Sequence, residues 1–129
     1  MTYEWVEHTA ELELHVTAPS PELVFHDTMR AFGELVGAAS GPEQEHQVEL
    51  DAADRPTLLA EWLEELIFLA ETTGFVPEKA EIEAWNTKLR ATVRGRVGSP
   101  SPLVKAVTYH GLEFAERNGV WQARLVLDV

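Results

Sequence analysis

Leu112-Glu113-Phe114-Ala115-Glu116-Arg117-Asn118-Gly119-Val120-Trp121-Gln122-Ala123-Arg124-Leu125-Val126-Leu127-Asp128-Val129 has the pattern of two short alternating strands around a tight turn. Asn118-Gly119 is the strongest hairpin signal in the chain, because a two-residue turn of this hand needs positive φ at both central positions. It predicts two antiparallel strands, about Leu112 to Glu116 and Val120 to Asp128. In the second, Trp121, Ala123, Leu125 and Leu127 share one face, and Gln122, Arg124 and Asp128 share the other. Asp128 and the carboxylate of Val129 would then set two hard oxygen donors at one strand end.

Working outward, Lys105-Ala106-Val107-Thr108-Tyr109-His110-Gly111 leads into this hairpin, after a flexible loop, Gly98-Ser99-Pro100-Ser101-Pro102. Ala80 to Ala84 and Leu89 to Val97 read as strands joined by the turn at Trp85-Asn86-Thr87-Lys88. Gln47 to Leu50 is a short candidate strand, and Gly37 to Gln44 reads as a loop. Two helices are expected. Ser20-Pro21-Glu22 supplies an N-cap, a first-turn proline and an acid at the positive end of the dipole. That helix runs to about Val36, burying Leu23, Val24, Met29 or Phe32, and Leu35. Asp54-Arg55-Pro56 opens the second, where Leu59, Trp62, Leu63, Leu66, Ile67 and Ala70 recur at helical spacing. Gly74 fits its C-cap. Near the start, Glu11-Leu12-Glu13-Leu14-His15-Val16 alternates as a half-buried strand. The expected fold is α+β: one domain, residues 1–129, with two amphipathic helices packed on a mostly antiparallel sheet.

The chain carries 22 Asp plus Glu against 10 Lys plus Arg, a net charge of −12, and no cysteine. Disulfides, zinc-thiolate sites and cysteine nucleophiles are excluded. Nucleic-acid binding depends on Lys and Arg neutralising phosphates, so tight direct binding of RNA or DNA is disfavoured. The acidity suits a basic protein partner, or simple solubility. With no signal peptide and no apolar run long enough to cross a bilayer, a cytoplasmic protein without membrane contact is expected.

The sequence contains no P-loop, no Gly-rich dinucleotide fingerprint, no nucleophile elbow and no His-Glu-x-x-His helix. No catalytic residue is assigned, and the chain is not expected to be an enzyme. What remains is oxygen-rich. Glu11 and Asp128 occupy the polar phases of the first and last strands recognised. If those strands lie side by side, Glu11, Asp128 and Val129 form one acidic site suited to a hard cation. Calcium accepts six to eight oxygens in loose geometry, so it fits better than magnesium, with water or a partner filling the shell. The plainer reading makes both acids ordinary solvated strand residues. Histidine nitrogen suits softer metals. His8 is therefore read as orienting the Glu11 turn, and His110 as a structural hydrogen-bonding group at a strand start. Lys105 is available to pair with the carboxylates or to reach a partner's anion, unless it is simply solvated.

Four segments resemble the archease family: Glu7-His8-Thr9-Ala10-Glu11, Leu58 to Leu66, Lys105 to His110 with Leu112-Glu113, and the ending Val126 to Val129. They occur in the family's order and spacing across nearly the whole chain. The resemblance implies an activator of the RtcB-type RNA ligase of tRNA splicing and RNA repair, which promotes guanylylation of the ligase's catalytic histidine and sustains multiple turnover. It implies that Glu11, Asp128 and Val129 bind calcium or another divalent cation, and that Lys105 serves activation. One departure stands out: the family's aspartate is Glu11 here, one methylene longer, which implies weaker metal affinity. The competing readings are a metal-dependent hydrolase or nuclease using Glu11, Asp128 and His110, and a chaperone-like binding module, which would need an exposed apolar patch and so turns on whether Trp5 or Trp85 is exposed.

Overall fold

The computed structural model describes residues 2–8, 10–101 and 104–129; the side chains of Thr2 and His8 also lie outside the described part. Seven strands and two helices follow in the order β1 (Thr2–His8), β2 (Glu11–Ala18), α1 (Pro21–Val36), β3 (Glu43–Asp51), α2 (Arg55–Thr73), β4 (Phe75–Trp85), β5 (Lys88–Val97), β6 (Ala106–Arg117) and β7 (Val120–Asp128). They form two antiparallel sheets, β1-β2-β7-β6 and β3-β5-β4. The α+β class and both helices are as expected. The single sheet is corrected to two.

The local signals act as their chemistry dictates. The Ser20 hydroxyl accepts from the Leu23 N–H at 3.3 Å, and the Asp54 carboxylate accepts from the Thr57 N–H at 2.8 Å. These bonds satisfy amides that a helix start leaves unpaired. The Thr57 bond also holds the Asp54 carboxyl below the ordinary carboxylate range. Gly74 closes α2 in the left-handed region, at φ 72°, and its N–H reaches the Ala70 carbonyl. At the last hairpin, Asn118 and Gly119 take φ 54° and 78°, the positive values their turn requires.

Both helices pack against both sheets, and one apolar cluster is drawn from all of them. The α2 stripe is buried as expected, and Trp62, fully enclosed, donates its indole N–H to the Phe25 carbonyl at 2.9 Å, tying α2 to α1. In α1 the core is Val24, Phe25, Met29 and Phe32, while Leu23 and Leu35 are only half-buried.

One strand is added to the sequence reading and several boundaries move. β1 was not expected; its register, Trp5 against Leu14 and Tyr3 against Val16, turns its aromatic phase toward the core. β3 begins at Glu43, where Glu43 pairs with Arg96 of β5, and β4 begins at Phe75, where the buried Phe75 and Val76 pair with Val97 and Arg96 before a register shift between Pro77 and Lys79 breaks the pattern. β6 begins at Ala106, six residues early, because a bulge in its middle breaks the alternation. On β7, Val126 lies on the polar phase yet is buried, outside the main core cluster.

Candidate functional site

The two strands carrying the acidic residues lie side by side. β2 pairs with β7 in antiparallel register, with Glu11 directly opposite Asp128. Opposed residues in such a pair project from the same face, with Cβ atoms about 5 Å apart. The main chain closes around them. The Val129 N–H donates to the Ala10 carbonyl at 3.2 Å, and the Lys105 N–H donates to the Asp128 carbonyl at 2.8 Å. Ala10, in the turn that delivers Glu11, adopts φ 61°, a left-handed conformation that L residues other than Gly, Asn and Asp rarely visit. Glu11 and Val129 are half-exposed, and Asp128 and Lys105 are exposed. Glu11, Asp128, Val129 and Lys105 therefore meet at one end of the four-stranded sheet.

Like charges directly opposite one another in a sheet are destabilising. Among the described residues, neither the Glu11 nor the Asp128 carboxylate forms a hydrogen bond or ion pair. The nearest committed cation is Arg124, two rungs along. It donates from Nε and Nη2 to the two oxygens of Glu13, at 3.1 and 2.8 Å. Those bonds, then the Glu13 charge, raise its pKa, with smaller contributions from Glu113 and Glu11. His15 extends the chain, with Nε2 3.0 Å from Glu13 and Nδ1 3.7 Å from Glu4. The opposed pair thus has oxygen donors, access to solvent and no ion-pair partner among the described residues. That donor set fits a hard cation. No group of three His, Asp or Glu side chains able to hold a metal occurs among the described residues, so protein side chains alone do not complete a shell.

The other expected residues fall differently. His8 sits opposite Glu11 on β1 by main-chain register, but its side chain lies outside the described residues, as do Thr9 and Pro102. His110 is not at a strand start; it lies within β6, in a bulge. Thr108 pairs with Val126 and Glu113 with Arg124, so Tyr109, His110, Gly111 and Leu112 stand against Leu125 alone. Gly111 permits this at φ 76°, where a Cβ would come 2.9 Å from the Arg124 Nη1. The bulge exposes His110 and Tyr109, and the Tyr109 hydroxyl donates to Glu64 of α2 at 3.1 Å. Trp5 is half-buried against the core, while Trp85 is 46% exposed. Sequence reasoning missed the Glu13–Arg124–His15 chain. All three residues lie on the polar phase of their strands, and only the β2–β7 register joins them.

A second charged surface covers the three-stranded sheet, where a groove of about 510 Å³ is lined by Glu43, Glu45, Glu78 and Lys79 around Arg94 and Arg96. Its arginines are paired. Arg94 lies 3.0 Å from Glu45 and 2.6 Å from Glu81, and Arg96 lies 3.0 Å from Glu43 and 3.8 Å from Glu78. Despite its size, this groove offers little unsatisfied charge.

Fold and site together define a small two-sheet, two-helix protein with an acidic site at a strand end and, among the described residues, no helix long and apolar enough to cross a membrane. The family model described as "Archease protein family (MTH1598/TM1083)" matches residues 3–129. The chain belongs to the archease family. It is 34% identical to an archease of Methanopyrus kandleri, over the full length of both chains. It is 31% identical to one of Methanosarcina mazei, covering 98% of this chain and 95% of that one. Its fold is similar to the solution structure of Methanobacterium thermoautotrophicum protein 1598, with TM-score 0.74, 28% identity and 98% of each chain covered. A Thermotoga maritima crystal structure, described as an archease and possible chaperone, shares the fold, with TM-score 0.71, 21% identity, and coverage of 100% of this chain and 98% of that one.

Proposed function

We propose that this protein is a non-catalytic activator of an RtcB-type RNA ligase in the cytoplasm, promoting ligase guanylylation and multiple turnover in tRNA splicing or RNA repair. Family membership supports the reading, and the observation that carries it is the opposed Glu11–Asp128 pair beside Lys105. Glu11, Asp128 and the main-chain oxygens of Val129 would hold calcium or another divalent cation, which supplies a positive centre for phosphate oxygens. The chain's own part is positional. The β2–β7 register aligns the two carboxylates, and the Ala10–Val129 and Lys105–Asp128 main-chain bonds fix the strand ends. Lys105 is free to meet an anion of the partner. Activation follows if the site binds the nucleotide-accepting state of the ligase more tightly than its other states. A two-metal hydrolase would need a richer set of converging carboxylates than the described residues bring together.

The test is a ligase guanylylation and joining assay under multiple-turnover conditions, with the ligase from the same source. Substoichiometric protein is expected to convert a stalling ligase into a cycling one. Unchanged turnover with both proteins folded would refute the reading.

A further inference from the structure

The outer face of α2 and the β6 bulge beside it form an acidic and aromatic surface on which Glu64, Phe68 and Tyr109 are exposed and Glu61 and Glu65 half-exposed. Glu61, Glu64, Glu65 and Phe68 stand at three- and four-residue steps, on one side of the helix. Phe68 is 55% exposed and Tyr109 is 52% exposed, and the Tyr109–Glu64 hydrogen bond holds the bulge against this side. Partial burial first, and then Glu64, Glu61 and Asp54, raise the Tyr109 pKa.

These acids do nothing for the helix that carries them. Beyond Arg55, α2 has no basic residue, and Arg55 is engaged elsewhere, 4.8 Å over the Trp121 ring and bonded to the Asn86 carbonyl. Glu61 and Glu65 are a like-charge pair four residues apart, which destabilises a helix. Glu71 stands near the C-terminal end, where the dipole disfavours an acid. Among the described residues none of these four glutamates has an ion-pair partner. On the three-stranded sheet, by contrast, glutamates alternate with arginines that neutralise them.

We propose that this face docks a basic protein surface, with arginine guanidiniums lying over the Phe68 and Tyr109 rings and pairing with Glu61, Glu64 and Glu65. Charge complementarity selects this occupant. Guanidiniums are drawn both to carboxylates and to aromatic faces, while nucleic acid and anionic lipid are repelled. If the proposed function holds, the surface belongs to the ligase, because an enzyme that grips RNA must display Lys and Arg; that assignment rests on the ligase reading.

The experiment measures affinity of the full chain for the ligase, at low and high salt. It compares wild type with Glu64→Lys/Phe68→Ser, with Glu49→Lys as a control of like charge change on the other sheet, and with Asp128→Asn. Both α2 positions are exposed, so thermal melting is expected to stay near wild type. The α2 variant is expected to bind at least about tenfold more weakly, a loss of about 1.4 kcal/mol. The Glu49 variant should bind nearly as wild type, and Asp128→Asn should bind but fail to activate. Equal affinity of a folded α2 variant and wild type would overturn the proposal. If wild type neither binds nor activates the ligase, the ligase reading fails instead, and an arginine-rich peptide becomes the probe. Weaker peptide binding by the α2 variant than by the Glu49 control would then support the docking face, and equal binding would overturn it.

Discussion

The three-stranded sheet and the end of the four-stranded sheet are both rich in glutamate, yet they handle charge in opposite ways. On the first, β5 runs down the middle with Arg90, Arg94 and Arg96, and the glutamates of β3 and β4 flank it. Each arginine is answered within the fold. On the second, Glu11 and Asp128 oppose one another, and the nearest arginine is already engaged by Glu13. The first arrangement is complete without a partner. The second leaves two opposed carboxylates unanswered by any side chain among the described residues, which makes it the better candidate for function.

The largest effect should come from breaking the incomplete region. Asp128→Ala is expected to reduce ligase activation by more than about tenfold, the lower bound seen when even an outer partner of a metal ligand is lost. Multiple-turnover ligation measures it, and unchanged turnover would remove Asp128 from the site. A smaller effect should sharpen the same region. Glu11→Asp shortens one arm and should tighten calcium binding, by up to about tenfold, since affinity follows how rigidly the carboxylates are presented. Equal affinity by calorimetry would show that the extra methylene does not matter. The smallest effect should come from the complete region. Arg96→Gln removes exposed pairs and should change stability by no more than about 1 kcal/mol, with activation untouched. A large loss in urea denaturation, or a fall in ligase turnover, would erase the distinction between the two surfaces.

Much of this was legible in the sequence where the signal is local. Ser20, Asp54 and Gly74 cap their helices, and Asn118-Gly119 turns the last hairpin, because each acts through atoms a few residues away. The α2 stripe was legible because its apolar spacing holds from Leu59 to Ala70, about three turns. β1 and the start of β3 were not, because their support is a neighbouring strand distant in sequence. The β6 bulge was equally hidden. Gly111 shows that positive φ is affordable there, but only the pairing of Thr108 with Val126 and Glu113 with Arg124 shows how many residues are extruded. At the site, the residue types were readable and their adjacency was conditional. Glu11 and Asp128 meet only because β2 and β7 are sequence-distant neighbours in register. The Glu13–Arg124 pair depends on the same register and was not foreseen.

The most direct measurement is a calcium titration by calorimetry of the full chain and of Asp128→Asn. One site is expected on the native protein, and its loss, or weakening by more than about tenfold, in the variant, because one carboxylate of an opposed pair cannot replace two. An identical isotherm for both proteins would contradict it.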